Sequence, residues 1–238
     1  MFGRRNKQDD TAAAEPAAEP QEAVRGDSSD EVDADEVDAE VDAGGGPYDS
    51  SEGTLPEGET DGRLDLGSVR LPLIEGAQIQ VEMEESGELR SVHLLTEVGR
   101  ITVAAFAAPR TEGMWREVLG ELAQSLKDDG AAVRFEDGPW GREVVGVGAG
   151  ATLRFIGVDG PRWMVRGVAA GPEETQEPLS ELVRDVLRQT VVVRGVEAMP
   201  VRSPLPIALP AVLVQQLEEA RQQGLAGQEQ QEGQAAPD

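Results

Sequence analysis

The chain has 238 residues, 46 acidic against 21 basic, a formal net charge of -25 and no cysteine. Disulfides, thiolate metal centres and cysteine nucleophiles are thereby excluded. So large a negative charge opposes general affinity for nucleic acid or anionic membrane surfaces, though not a local basic patch.

The charge is uneven. Residues 1–62 hold 19 acidic and 4 basic side chains, with Ala, Pro, Gly and Ser between them. Such a segment cannot bury enough apolar surface to offset its ordering entropy, so a disordered acidic arm is expected over 1–62. Its densest part, Glu31–Asp42, fails the calcium-loop pattern: counted from Asp33, the sixth residue is Asp38 and the twelfth Gly44, where Gly and Glu are needed. The opening MFGRRNK is basic, but no apolar stretch follows, and no run of about 18 apolar residues occurs anywhere. The expectation is a cytoplasmic protein without a membrane segment.

An α+β domain is expected over 63–198. Ala77–Glu84 alternates apolar and polar residues as a half-buried strand does. Ser86-Gly87 turns the chain into Glu88–Glu97, and Gly99 into the apolar strand Arg100–Ala108. Trp115, Val118, Leu119, Leu122 and Leu126 then recur at helical spacing, with Thr111 as candidate N-cap and Gly130 as terminator. Four strands follow: AAVRFED, GREVVGVG, ATLRFIGV and PRWMVRGVAAG. A two-residue Asp159-Gly160 loop would set Ile156 opposite Trp163 and Phe155 opposite Met164. Pro178 opens a second amphipathic helix carrying Leu179, Leu182, Val183, Val186 and Leu187, and TVVVRG is a short strand or extended exit. The order β-β-β-α-β-β-β-β-α-β predicts one curved, mostly antiparallel sheet with helices on one face or both. Residues 199–223 hold a Pro-rich extended segment, lying over the domain or leaving it, and a short helix. A disordered tail is expected over 224–238.

The stretch VVGVGAGA (Val144–Ala151) invites comparison with a phosphate-binding loop. A dinucleotide site needs a helix after its glycines, and ATLRFIGV is a strand pattern, so a turn or bulge between strands is expected. His93, the single histidine, has no partner at helical or loop spacing and reads as structural or surface. Glu136, Asp137 and Glu143 flank Gly-Pro-Trp-Gly without a second constellation to work with. Trp140 either anchors a contact or folds back over the core. Arg154, Arg162 and Arg166, with Arg194 and Arg202, either share a face that binds an anion or pair with local carboxylates. No catalytic residue, cofactor or metal site is assigned.

LRFIGVDGPRWMVRGV (Leu153–Val168), VVVRG and MPVRSPLPIALP together resemble an uncharacterised family of actinobacterial proteins, a domain-of-unknown-function group. Its members begin near MFGRR and carry a variable acidic arm, an α+β domain and a Pro-rich exit. The resemblance covers roughly Leu64 to Leu217 and implies no activity. The element order is also similar to PsbP-like and Mog1-like sandwiches, an analogy of fold alone. The functional expectation is a non-catalytic interaction module with an acidic tether and a protein partner. The alternatives are an anion or small-ligand domain using the C-terminal-half arginines, and a nucleic-acid factor whose acidic arm is autoinhibitory.

Overall fold

The computed structural model describes residues 45–52, 62–86, 88–215 and 219; Glu31–Asp42 and the 224–238 tail lie outside them. The elements are β1 (Tyr48–Asp49), β2 (Arg63–Asp65), β3 (Val69–Pro72), β4 (Gln78–Met83), β5 (Leu89–Thr96), β6 (Gly99–Ala107), α1 (Met114–Asp128), β7 (Ala132–Gly138), β8 (Gly141–Val147), β9 (Thr152–Gly160), β10 (Trp163–Gly171), α2 (Gln176–Gln189) and β11 (Val191–Val192). From β4 onward their order is the predicted one, and the class is α+β.

Seven strands form an antiparallel sheet in the order β4-β5-β6-β10-β9-β8-β7. The sheet is not alone. A second sheet, β1-β11-β3-β2, joins four strands of two to four residues, with β1 parallel to β11. Strands this short carry no readable period-2 signal, so the sequence analysis misses three of them.

Opposed residues in antiparallel strands point to one face, which sorts the main sheet. On one face Val165 and Ala169 are fully buried, together with Ile101, Ile156, Leu179, Val183 and Leu187. Gly167 belongs to this face: a Cβ there would lie 3.0 Å from Leu187 and 3.1 Å from Val183, so α2 rests directly on the backbone. The small sheet adds Leu64, Leu66, Val69 and Leu71 to the same core. On the opposite face α1 buries Met114, Trp115, Leu119, Ala123 and Leu126 against Val144 and Met164. Trp115 lies over Gly157, whose missing Cβ would stand 2.1 Å from the indole.

The start of α1 differs from expectation. Its N-cap is Gly113 at φ 104, and no side chain of its own segment caps it. The free N–H groups of Gly113 and Trp115 instead donate to the Asp159 carboxylate from the β9 end, at 3.1 Å. A cap supplied 46 residues away is invisible to local spacing, and Thr111 stays exposed. This role for Asp159 moves the hairpin turn. Gly160 pairs with Trp163 and Asp159 with Met164, so the two turn residues are Pro161 and Arg162, and Ile156 faces Gly167. Proline suits the first turn position, and Arg162 takes the positive φ of the second, 63°.

The fold begins before Arg63. Asp49 in β1 is buried, and its carboxylate accepts 2.6 Å bonds from the Trp163 indole N–H and the Ser51 hydroxyl. At the other end the Pro-rich segment lies on the domain. The β5–β6 ladder covers only Gly99–Thr102 of β6. Beyond it Arg202 donates to the Ala107 carbonyl (2.7 Å), Ala107 donates to Ser203 (2.9 Å) and Leu205 donates to Ala105 (2.8 Å). Ser203–Leu205 thus act as a strap along the β6 edge that β5 vacates, with Leu205 buried.

Two outcomes test this packing. Gly157→Ala overpacks the Trp115 contact and should lower unfolding free energy by about 1–3 kcal/mol in urea titration; an unchanged midpoint would refute the contact. Burial alone would raise the Asp49 carboxyl, but hydrogen bonds from Ser51 and Trp163 outweigh it and hold the group below its ordinary value. Its stabilising contribution is therefore present above the unfolded pKa of about 3.9 and is lost as pH falls through the lowered folded value. Asp49→Asn should flatten stability against pH below about pH 4. Acid sensitivity equal to that of the parent would contradict the assignment.

Candidate functional site

The residues singled out in the sequence do not share a face. Arg154 opposes Ala169 and so lies on the α2 side of the sheet. It donates 2.6 Å bonds to Glu143 and Glu136, while Arg184 of α2 donates to Glu143 at 2.9–3.0 Å and to Glu181 at 2.6 Å. Arg134 on β7 completes the set through Glu136 at 2.7 Å. Three carboxylates meet three guanidiniums, and Glu143 is 1 % exposed. Glu136 directly opposes Glu143 across the β7–β8 ladder, and Arg154 bridges the like charges. This network fastens α2 to β7–β9 and has no cation to spare for an anion.

Arg162 holds the turn through its backbone, its carbonyl accepting the Ala108 N–H at 3.0 Å and the Arg194 Nε–H at 3.1 Å. Trp140 folds back, half-buried against the main core, its indole N–H on the Gly46 carbonyl at 2.9 Å and Arg188 over its ring. Arg202 pairs with Glu117 and Glu121 of α1. The glycines of VVGVGAGA divide between strand and turn: Gly146 lies in β8 beneath Leu126, and Gly148 donates to Ala151 across the β8–β9 connection.

Arg166 differs from Arg154. It opposes Ala104 and Gly157, which puts it on the α1 face. There α1 packs on β7, β8 and β9 and reaches Met164 of β10 and the margin of Phe106 on β6, so Arg166 lies at the edge of its cover. There the guanidinium sits 4.9 Å from the Phe106 ring centroid. Its Nε is shut from solvent without a hydrogen-bond partner, and no described residue makes an ion pair with it. Desolvation pulls its pKa below the ordinary arginine value, with no opposing charge to restore it. Ala104, Phe106 and Val168 surround it on the face, all half-buried.

His93 stands on the same face, opposite Thr102 and Gln80. It is buried, the structural one of the two expected alternatives, and its partners come from its own and the neighbouring strands. Its Nδ1 is 2.7 Å from the Thr102 hydroxyl, and its Nε2 is 2.9 Å from the Ser91 hydroxyl and 3.3 Å from Glu82. Ser91 donates to Glu82 at 2.8 Å. Hydrogen bonds from Ser91 and His93 hold the Glu82 carboxyl below its usual value. These partners come from neighbouring strands in register, a spacing that only the sheet reveals. A nucleophilic relay needs hydroxyl and acid on opposite ring nitrogens. Ser91 and Glu82 share Nε2 while the Thr102 hydroxyl takes Nδ1, and the set pins β4, β5 and β6 together where the β5–β6 ladder ends. Among the described residues no three His, Asp or Glu side chains form a metal-binding group, and no helix is long and apolar enough to cross a membrane.

Residues 46–216 match the family described as "Protein of unknown function (DUF3710)". The chain belongs to that family. No curated protein sequence matches the chain. Among solved structures it is similar to cyanobacterial PsbP (CyanoP) from Synechocystis sp. PCC 6803, at 11% identity and a TM-score of 0.36, over 55% of this chain and 91% of that one. The matched segment begins at Gly46, beside β1, and contains both Asp49 and the Pro-rich strap.

Glu143 supplies the test of the buried network. Glu143→Leu leaves Arg154 and Arg184 without their shared partner and should cost about 3–5 kcal/mol in denaturant unfolding. A cost below about 1 kcal/mol, the range of exposed pairs, would remove the network from the account of stability.

Proposed function

We propose that this domain is a non-catalytic binding module of the cytoplasm, and that it offers the face of its main sheet around Arg166 to an acidic protein partner. The observation that carries this reading is the unpaired Arg166. A half-buried guanidinium whose Nε has no hydrogen-bond partner and which no carboxylate neutralises lowers stability, and such residues persist where a function requires them. Charge complementarity then specifies the partner: an acidic group at the contact, set against Phe106, Ala104 and Val168. The polar residues of the outer strand, Gln78, Gln80 and Glu82, are exposed and supply the rim that surrounds the apolar centre of a protein interface. The acidic composition of the residues before Gly45 suits a charged, self-repelling tether and completes the proposal.

Arg166→Met keeps an unbranched side chain over Phe106 and removes the charge. The variant should gain about 0.5–2 kcal/mol in unfolding free energy and should cease to retain the protein that the parent chain captures at low salt. A less stable variant would assign Arg166 to the fold instead, and undiminished capture would separate it from binding.

A further inference from the structure

We infer that β7 is a self-pairing edge, and that two copies of this chain join their main sheets through it as an antiparallel, two-fold dimer centred on Phe135.

The main sheet ends in β4 on one side and β7 on the other, and among the described residues neither strand has an outer neighbour. An open edge is a template for another strand, and chains that stay single blunt it. The β4 edge is blunted, since its register breaks at a bulge between Glu82 and Met83. The β7 edge is not. It runs against β8 without a break from Ala132 to Gly138.

The free bonding groups of β7 follow from its turn. Gly138 and Gly141 flank the two residues Pro139 and Trp140, so they exchange both main-chain bonds. By alternation Glu136 does so with Glu143, and Arg134 with Val145. Val133, Phe135 and Asp137 therefore aim their N–H and C=O groups outward, where no described residue bonds them.

A second copy fits this edge in one register. Outward-bonding residues must oppose one another. An axis on Asp137 sets two aspartates face to face. The registers next to Phe135 oppose Arg134 to Arg134 or Glu136 to Glu136, which is unfavourable. An axis on Val133 carries Phe135 to Asp137 past the end of the other strand. An axis on Phe135 opposes Arg134 to Glu136 of the second copy twice, Val133 to Asp137 twice, and Phe135 to itself, with about six main-chain hydrogen bonds. The side chains are ready for this. Arg134 is exposed and engages its own Glu136 through Nε alone, at 2.7 Å. Each Glu136 oxygen accepts one bond and has a lone pair for another.

Phe135 is 38 % exposed, beside Val133 on the face that α1 covers. A two-fold axis perpendicular to the sheet brings the two Phe135 rings together on that face. The helices clear one another. Each α1 rests over Gly146 of β8 and Gly157 of β9, so the pair stand about 19 Å apart, wider than a helix diameter of about 10–12 Å. Because β7 lies three strands from β10, the pairing neither uses nor covers Arg166.

Sedimentation equilibrium of the full chain reads the dimer. A reversible monomer–dimer equilibrium is expected, with no larger species, because the two-fold contact consumes the edge. Two copies of net charge -25 repel, so the dissociation constant should fall at least about threefold between about 0.05 and 0.5 M NaCl. Arg134→Glu opposes glutamates at both ends and should raise it at least about tenfold. The chain has no cysteine, so single cysteines report the register. Opposed residues of a bonded pair lie about 5.5 Å apart at Cα, within disulfide reach. Under mild oxidation Phe135→Cys should link to itself. Val133→Cys and Asp137→Cys should each stay unlinked, their copies about 14 Å apart along the strand, yet link to one another when mixed. A chain still monomeric at about 1 mM, growth past the dimer, indifference to Arg134→Glu, or any other pattern of linking would each overturn the inference.

Discussion

A sheet of seven strands is about 30 Å across, at roughly 4.8 Å per strand, and a helix with its side chains covers only about 10–12 Å. Both faces carry apolar residues, so both need cover. The chain solves the two faces differently. One receives α2 together with the small four-stranded sheet, and its residues Val165, Ala169, Leu179 and Val183 are fully withdrawn from water. Among the described helices the other receives α1 alone, which lies on β7, β8 and β9 and reaches Met164 of β10 and the margin of Phe106. Everything distinctive about the remaining half, including the half-buried state of Ala104, Phe106, Arg166 and Val168, follows from that shortage of helix.

Two arginines on neighbouring strands illustrate how face decides fate. Arg154 and Arg166 lie on β9 and β10 of one hairpin and differ in which side of the sheet they reach. On the α2 side Arg154 meets Glu136 and Glu143 and becomes part of a balanced ionic cluster. On the α1 side Arg166 meets a phenylalanine and no carboxylate. The first arrangement fastens a helix and offers nothing to a ligand. The second leaves binding capacity unused within the fold.

Much of the fold was legible because it rests on local regularities. Apolar alternation located β4, apolar runs and their bounding turn residues located β5 to β10, and the stripe from Trp115 to Leu126 located α1. What escaped depends on distant partners. The β1 strand is two residues long and is held by Trp163, 114 positions away. The α1 cap comes from Asp159, and that same demand shifts the β9–β10 turn onto Pro161 and Arg162. The candidate site was half legible. Arginine enrichment drew notice to Arg154, Arg162 and Arg166 alike, since composition cannot say which guanidinium has company. Sheet parity could have separated Arg154 from Arg166 once the hairpin was recognised, because an even residue separation along a strand preserves the face and an odd one reverses it. The His93 cluster needed the β4–β5–β6 register and had no local signal.

The tight turn between β9 and β10 gathers more of the molecule than its two residues suggest. Asp159 on one side holds the start of α1, the Arg162 carbonyl holds Ala108 and Arg194, and Trp163 on the other side holds Asp49. Four separate stretches of chain converge within five residues, at sequence separations reaching 114. Contacts so distant must await closure of long loops before they repay the entropy spent. The hairpin can close early, from its own neighbours, but its outer partners can only join late. Of these tethers the one to the Gly45–Glu52 segment closes the longest loop, and so carries the largest closure entropy of the set.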